Sequence, residues 1–396
     1  MISKSKKGTG IFLMCYIAYT AIYVARLNLS MAAPQMMEES VISAAQIGVL
    51  NGVFFVVYAI GRLISGKVGD RLSPAVMITT GLAACGVSNV LFGLFPPFPA
   101  LVVFWALNAF SQSMLWSSVL CSLVGAYGKD KARKMTPYMV TSVAFGNVVG
   151  ILVNTGIINS FGTAFAFVIP GGITLILSVI GFAVLRTIPA PQPETEENHL
   201  SLIKLLRVRT IRDAFFTALS QGVIKDNITA WMTVYYADTF GIDLSTISGF
   251  VLFIPVVGLL GRLIYPLLYT ACAENEHTVS LIGFLVSIFA GVMLLLCQSS
   301  PVASIVALSL IYTAVSLINT SLLSVFPMGF VKSGNVASVS GLMDFATYFG
   351  AGISSVIFGY AVTSFGYNFM FIFWVGISIL ALVPVALLIK AERKKD

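Results

Sequence analysis

Charge is scarce in this sequence. Asp, Glu, Lys and Arg together make up 10% of its 396 residues, against 58% hydrophobic residues and a mean hydropathy of +0.94. Soluble domains carry roughly 25% charged residues, so this composition excludes a water-soluble chain and leaves an integral membrane protein. Histidine is nearly missing: the two residues, His199 and His277, fall in polar connections. The five cysteines, Cys15, Cys85, Cys121, Cys272 and Cys297, are scattered without metal-ligand spacing. No disulfide framework, metal cluster or nucleophile–histidine constellation follows from such a set, so neither an enzyme nor a cofactor is expected. Alternating segments of about ten residues, the mark of a membrane barrel, are also missing. The class that remains is an all-α membrane protein.

Apolar runs are plentiful. A bilayer core of ~30 Å takes about 20 residues of helix. Twelve runs satisfy this, near 11–35, 45–66, 74–95, 99–127, 136–159, 163–188, 211–237, 246–270, 278–298, 302–330, 335–362 and 367–390. The only long polar stretch, "PAPQPETEENHLSLIKLLRVRT", divides them six and six. The expected organisation is two pseudo-symmetric six-helix bundles, 1–188 and 211–396, joined by a cytoplasmic linker, 189–210. The second half of that linker, with Leu202, Ile203, Leu205 and Leu206 beside basic residues, reads as a short helix on the membrane surface. The start, "MISKSKKGTG", lacks a small-residue cleavage site before Arg26 and is read as part of a retained first helix.

Only four of the 23 Lys and Arg residues lie within spans: Arg26, Arg62, Lys225 and Arg262. All the others fall on one side, in the tails and alternate connections. The opposite loops hold acids such as Glu38, Glu39, Asp238 and Asp243. The positive-inside rule then places both termini in the cytoplasm. It also accounts for the net charge of +7 without nucleic acid as a partner; membrane lipid is the expected neighbour.

The embedded cations repeat. "ARLNL" and "IKDNI" set Arg26 against Lys225 and Asn28 against Asn227, and "GRLI" occurs at Gly61–Ile64 and Gly261–Ile264. A cation near the bilayer centre costs at least ~2.5 kcal/mol and persists only facing a cavity or a partner. At ~1.5 Å per residue, Arg26 and Lys225 each lie roughly 20 Å along their spans. Two such cations repel unless an anion joins them. Arg62 and Arg262 lie further toward the cytoplasm, either lining an inner vestibule or snorkelling to the interface. Asp226 follows Lys225 directly, about 100° round a helix, so no close pair between them is expected. Asp344 reads as a partner of Lys225 or Arg262, or else as a carrier of a coupled proton or a contact for a substrate ammonium. The first and fourth spans carry no acid at all.

"SGKVGDRLSP", Ser65 to Pro74, resembles the G-x-x-x-D-R/K signature loop of the major facilitator superfamily, through Gly66, Asp70 and Arg71. The resemblance implies that this loop latches the cytoplasmic side in one state. Within that superfamily the chain is similar to the organophosphate:phosphate antiporters, over most of its length. Tyr19, Tyr23, Arg26, Asn28 and Pro34 resemble that family's first helix and its substrate-binding arginine. Lys225 stands where the family has a second binding arginine, and Arg62 where the glycerol-3-phosphate member has a lysine. Gln112 and Trp116 in "SQSMLW", and Tyr348 in "GLMDFATYFGAG", look like its fourth and eleventh helices. The second arginine is replaced by lysine here, and the glycerol-phosphate member's fifth-helix histidine by Gly146.

The resemblance implies a monomeric secondary transporter of a small organic anion, possibly an organophosphate exchanged for phosphate, in a bacterial inner (plasma) membrane. The expected substrate-binding set is Arg26, Lys225, Tyr19, Tyr23, Arg62, Gln112, Trp116, Arg262 and Tyr348, with Asp344 and Asp226 as coupling or ion-pair residues. A proton-coupled carboxylate or sugar-acid symporter, and a non-transporting sensor on the same fold, remain as alternatives.

Overall fold

The computed structural model describes residues 2–69, 72–188, 202–333 and 336–392. Every long apolar run is helical, and there is no strand among the described residues. In order, the helices are α1 (Ile2–Glu38), α2 (Ala44–Gly69), α3 (Pro74–Gly93), α4 (Phe98–Ser113), α5 (Leu115–Tyr127), α6 (Lys129–Phe161) and α7 (Phe165–Leu185). After them come the five-residue α8 (Leu202–Leu206), then α9 (Arg209–Phe240), α10 (Leu244–Ala271), α11 (Glu276–Leu296), α12 (Pro301–Thr320), α13 (Val336–Phe365) and α14 (Tyr367–Glu392). Asp70, Arg71 and residues 189–201 of the expected linker lie outside the described residues; Gly66 falls inside α2.

Helix ends follow local chemistry. Ser73, Asp243, Asn275 and Ser300 each accept a backbone N–H three residues on, and Pro74 and Pro301 occupy first turns, where a missing N–H costs nothing. The expected fourth span is broken at Met114 into α4 and α5. The expected tenth span does not run on as one α-helix: past Thr320 it passes through a π-turn, Ser321–Val325, into a 3-10 segment, Phe326–Ser333.

Among the described residues, eleven segments are long and apolar enough to cross a membrane. The seventh expected span, 211–237, which falls in α9, does not qualify. That helix is long enough at 32 residues, but Gln221, Lys225, Asp226 and Asn227 crowd its middle. It tolerates them because neighbouring helices enclose it: Gln221, Ile224, Asn227, Ile228 and Trp231 are fully buried. A helix so placed need not be lipid-soluble on every face.

The chain resolves into two compact units, Met1–Ser43 with Val57–Thr195, and Ala44–Val56 with Glu196–Asp396. The division cuts α2, whose first half packs with the second unit. In the first unit, α1, α3 and α5 share a core that includes Met14, Tyr19, Ile22, Ile78, Leu82, Leu115 and Val119. In the second, α9 and α13 lie face to face. Gln221 Nε2 donates to Thr347 Oγ1 at 2.8 Å, Asn227 Nδ2 to Ser354 Oγ at 2.8 Å, and Trp231 Nε1 to Ser355 Oγ at 3.0 Å. Gly222 makes the approach possible, since a methyl group there would lie 2.0 Å from the Thr347 carbonyl oxygen.

Gly222→Ala should therefore force α9 from α13 and cost about 1–3 kcal/mol, the usual range for overpacking. Gly249→Ala in α10, where an added methyl meets nothing within 4 Å, should leave the melting temperature unchanged or raise it. Thermal unfolding of the two purified variants checks the pair.

The Asp243 cap predicts a pH dependence. The Thr246 hydroxyl and then its backbone N–H hold the Asp243 carboxyl below its usual range. A lowered folded pKa stabilises above the ordinary carboxylate value of about 3.9 and loses that contribution as pH falls through the lowered one. The melting-temperature gap between the wild type and Asp243→Ala should accordingly narrow in acid.

Candidate functional site

In the first unit, Tyr58 of α2 is the centre. It is buried, and the Arg26 guanidinium carbon lies 4.4 Å from its ring centroid. Arg62, one turn further along α2, approaches the same ring at 5.9 Å. Arg26 also lies 5.7 Å from the Tyr23 ring. Tyr23 packs on Tyr19 at 5.7 Å, and Tyr19 on Trp116 of α5 at 5.0 Å. An aromatic face attracts a cation and replaces part of the hydration lost on burial. Two guanidinium groups thus share one phenol ring in a setting walled by aromatics.

Backbone seams hold this cluster. Asn28, Asn89, Asn108 and Gln112 form a chain of buried amides: Asn28 Nδ2 donates to Asn89 Oδ1 at 2.7 Å, Asn89 Nδ2 to Asn108 Oδ1 at 3.1 Å, and Gln112 Nε2 to the same oxygen at 2.9 Å. Asn108 Nδ2 reaches back to the Ala25 carbonyl at 3.2 Å, beside Arg26. Across α6, Asn154 Nδ2 bonds the Val24 carbonyl at 2.9 Å. Gly146 lies against Tyr23, where a methyl group would meet its Cβ at 2.8 Å. No larger side chain fits there, which is the physical sense of the glycine at that position.

In the second unit, Lys225 Nζ lies 3.3 Å from Asp226 Oδ1, with both side chains nearly buried at 12% and 14% exposure. This overturns the expectation that adjacent helix residues cannot pair. The four-carbon lysine stem is long and flexible enough to fold back through the intervening angle, and its ammonium donates in any direction. Lys225 also approaches the Tyr348 ring at 5.9 Å, and Tyr348 stacks on Phe55 at 6.3 Å. Asp344 is half-buried on α13, four residues before Tyr348 and so on the same face. Asp226 Oδ2 is buried and accepts no hydrogen bond among the described residues.

The structure thus gathers Tyr19, Tyr23, Arg26, Arg62 and Trp116 in one unit, and Lys225, Asp226 and Tyr348 in the other. Tyr58 was not foreseen; its place four residues before Arg62 was the available signal. Gln112 is 1% exposed, and its amide nitrogen is engaged by Asn108, so in this state it supports the Arg26 helix from behind. Arg262 is exposed on α10, and no ion pair joins it to Asp226 among the described residues. His277, read from sequence as part of a polar connection, is instead 3% exposed. It packs on Phe326, and its ligand-capable atoms lie within 4.8 Å of those of Glu276 and Glu392. That group departs from the expectation of no metal-type cluster. It lies where Asn275, the cap of α11, also donates to Glu392 at the end of α14.

Among the described residues, eleven apolar helical segments and the polar-centred α9, with cations within α1, α2 and α9, define a polytopic membrane protein of the solute-carrier type. The family model of the Major Facilitator Superfamily matches residues 15–355, and the chain belongs to that superfamily. A probable hexose phosphate transport protein of Chlamydia muridarum (strain MoPn / Nigg) is 30% identical over 182 residues, 45% of this chain and 39% of that protein. The membrane sensor protein UhpC of Escherichia coli K12 is 24% identical over 279 residues, covering 64% of this chain and 63% of that one. The chain therefore spans less than two thirds of either relative. The glycerol-3-phosphate transporter of Bacillus subtilis 168 is 22% identical over 409 residues, 95% and 91% of the two chains. Among solved structures, the nucleoside transporter NupG superposes with a TM-score of 0.74 at 15% identity, over 96% of this chain and 99% of that one. A bacterial homologue of the lysosomal transporter Spinster, inward-facing and occupied, gives 0.77 at 14%, over 96% of each chain. These relatives are carriers and a sensor, and the two structures share the fold.

The ion pair sets a test. Removing either partner of a nearly buried pair strands the other charge. Lys225→Met and Asp226→Asn should each lower the melting temperature, and the double variant should recover part of both losses. The coupling should be about 1–3 kcal/mol; strictly additive losses would mean that the contact carries no energy.

Proposed function

We propose that the protein is a secondary active transporter that carries a small organic anion by alternating access. The single observation that carries this reading is the gathering of two guanidinium groups, Arg26 and Arg62, about the one Tyr58 ring. Two like charges so gathered repel each other, and an anion brought between them would be held by both. Arg26 supplies a planar fork suited to phosphate or carboxylate. Lys225, 199 positions along in the internal repeat (26 and 225), supplies a point charge. Tyr19, Tyr23, Trp116 and Tyr348 provide aromatic walls and hydroxyls. The names of the relatives, hexose phosphate and glycerol-3-phosphate carriers, favour a phosphorylated substrate, exchanged for phosphate. The two six-helix repeats are the moving halves, and the signature residues Gly66, Asp70 and Arg71 serve to latch them. The protein works as a monomer in a bacterial plasma membrane with both termini in the cytoplasm.

Two observations support other readings. The partly buried carboxylates of Asp226 and Asp344 suit a proton-coupled carrier, and the relative named as a membrane sensor suits ligand binding without transport. In vesicles loaded with phosphate, an exchanger takes up labelled organophosphate without a pH gradient. Uptake that needs an inward proton gradient and ignores the trapped anion would establish symport, and binding without any flux would establish a sensor.

Arg26→Ala and Lys225→Ala should each abolish anion binding in a protein that still folds, read by isothermal titration and circular dichroism. Lys225→Arg should raise affinity for phosphate esters relative to monocarboxylates. An unchanged ratio means that residue 225 does not touch the anionic group.

A further inference from the structure

A third cluster of titratable side chains lies where α11 begins and α14 ends. Glu276 and His277 open α11, and Glu392 is the last residue of α14. One ligand-capable atom from each of the three lies within 4.8 Å of the others. His277 Nε2 is 3.9 Å from Glu276 Oε1, too far for a hydrogen bond. Two atoms bound to one metal at ~2.0–2.1 Å stand about 3.3 Å apart at the tetrahedral angle, and at most about 4.2 Å apart. Small rotations of the two glutamate side chains therefore bring all three donors to one centre. Packing sets the imidazole ring: His277 is 3% exposed and lies against Phe326, with 5.6 Å between ring centroids. The Glu276 side chain is nearly buried beside it. Glu392 is held as well. Asn275 Nδ2 donates to its Oε2 at 2.5 Å, while Asn275 Oδ1 caps α11 by accepting the Thr278 N–H at 2.8 Å. A hydrogen bond that aims a carboxylate in this way is the usual support of a metal ligand.

The charges of this cluster favour a cation. Two carboxylates so close repel each other, and Glu392 stands at a helix C-terminus, where the partial charge of the backbone already disfavours an acid. The Tyr269 hydroxyl of α10 lies in the field of the same two acids and of Glu274. We propose that Glu276, His277 and Glu392 bind one divalent transition-metal ion, with Zn²⁺ as its type. The donor set makes the choice. An imidazole nitrogen suits zinc and its neighbours, whereas magnesium and calcium take oxygen, and monovalent copper takes sulfur. Three protein ligands leave a fourth position to water. The bound ion ties the start of α11 to the end of α14, beside the 3-10 segment that Phe326 begins. The site shares no residue with the anion-binding set.

The test uses purified full-length protein free of any metal-binding tag, stripped with a chelator and titrated with Zn²⁺ alone. Calorimetry should show a single saturable site. The melting temperature should rise with added Zn²⁺ and fall back on adding EDTA, since an ion that binds only the folded state stabilises it. Equal concentrations of Mg²⁺ should produce no comparable shift. Glu276→Gln, His277→Gln and Glu392→Gln should each weaken Zn²⁺ binding by at least ~10–100-fold, the loss that follows even when a group merely supporting a ligand is removed. Should His277→Gln fail to fold, Glu392→Gln at the helix end still decides. Absence of saturable Zn²⁺ binding overturns the site and leaves an imidazole among carboxylates. Binding that survives all three substitutions overturns it too, because the ion then sits elsewhere. An equal response to Mg²⁺ removes the imidazole from the argument and overturns the transition-metal assignment.

Discussion

A charge enclosed by apolar helices must be met by something within a few ångströms, and that requirement shapes both units. Arg26 meets the faces of Tyr58 and Tyr23; Lys225 meets Asp226 and Tyr348. These contacts need helices close enough, and held firmly enough, for a side chain of one to reach a ring of another. Close approach explains much of the remaining architecture. Gly146 lets α6 lie against Tyr23, and Gly222 lets α9 lie against the Thr347 carbonyl. The amide ladders along those contacts replace the hydrophobic drive that is missing between helices in lipid. Buried polarity is thus the fastening that aims the cations.

The two halves use one plan with different parts. Tyr23 and Gly222 stand at corresponding positions of the repeat, three residues before Arg26 and Lys225. Each marks the point where its helix presses on its neighbour. The glycine of the contact belongs to α6 in the first unit and to α9 in the second. Asn28 and Asn227 also correspond, and both are fully buried and donate across a helix interface. The scaffold repeats while the chemistry diverges. The first cation keeps a guanidinium among rings, and the second is an ammonium tied to a carboxylate.

Most of this was legible in the sequence, for a definable reason. Insertion into lipid penalises each polar residue separately, so apolar runs, basic loops and embedded cations stand out one residue at a time. The runs gave helices, and "ARLNL" with "IKDNI" gave the repeat. Features set by pairs of side chains were hidden. Tyr58 looked like any aromatic, since its meaning lies in a contact with Arg26 across thirty-two positions (26 and 58). The Lys225–Asp226 pair was excluded by treating side chains as rigid spokes of a helix, which a lysine is not. α9 failed the apolarity test that its neighbours pass; its polar middle is allowed by an enclosure that only packing reveals. Gln112 was grouped with ligand-facing residues by resemblance, whereas its amide nitrogen is turned to Asn108.

Lysine at position 225 now has a physical setting. A guanidinium there would present a planar fork, most favourable when a bidentate acceptor lies in its plane. An ammonium is a compact point charge on a flexible stem, able to bond an adjacent carboxylate and to leave it. Lys225 and Asp226 therefore act as one neutral pair, each unbalanced without the other. The pair's neutrality keeps α9 tolerable inside the bundle, where a lone charge of either sign would be costly.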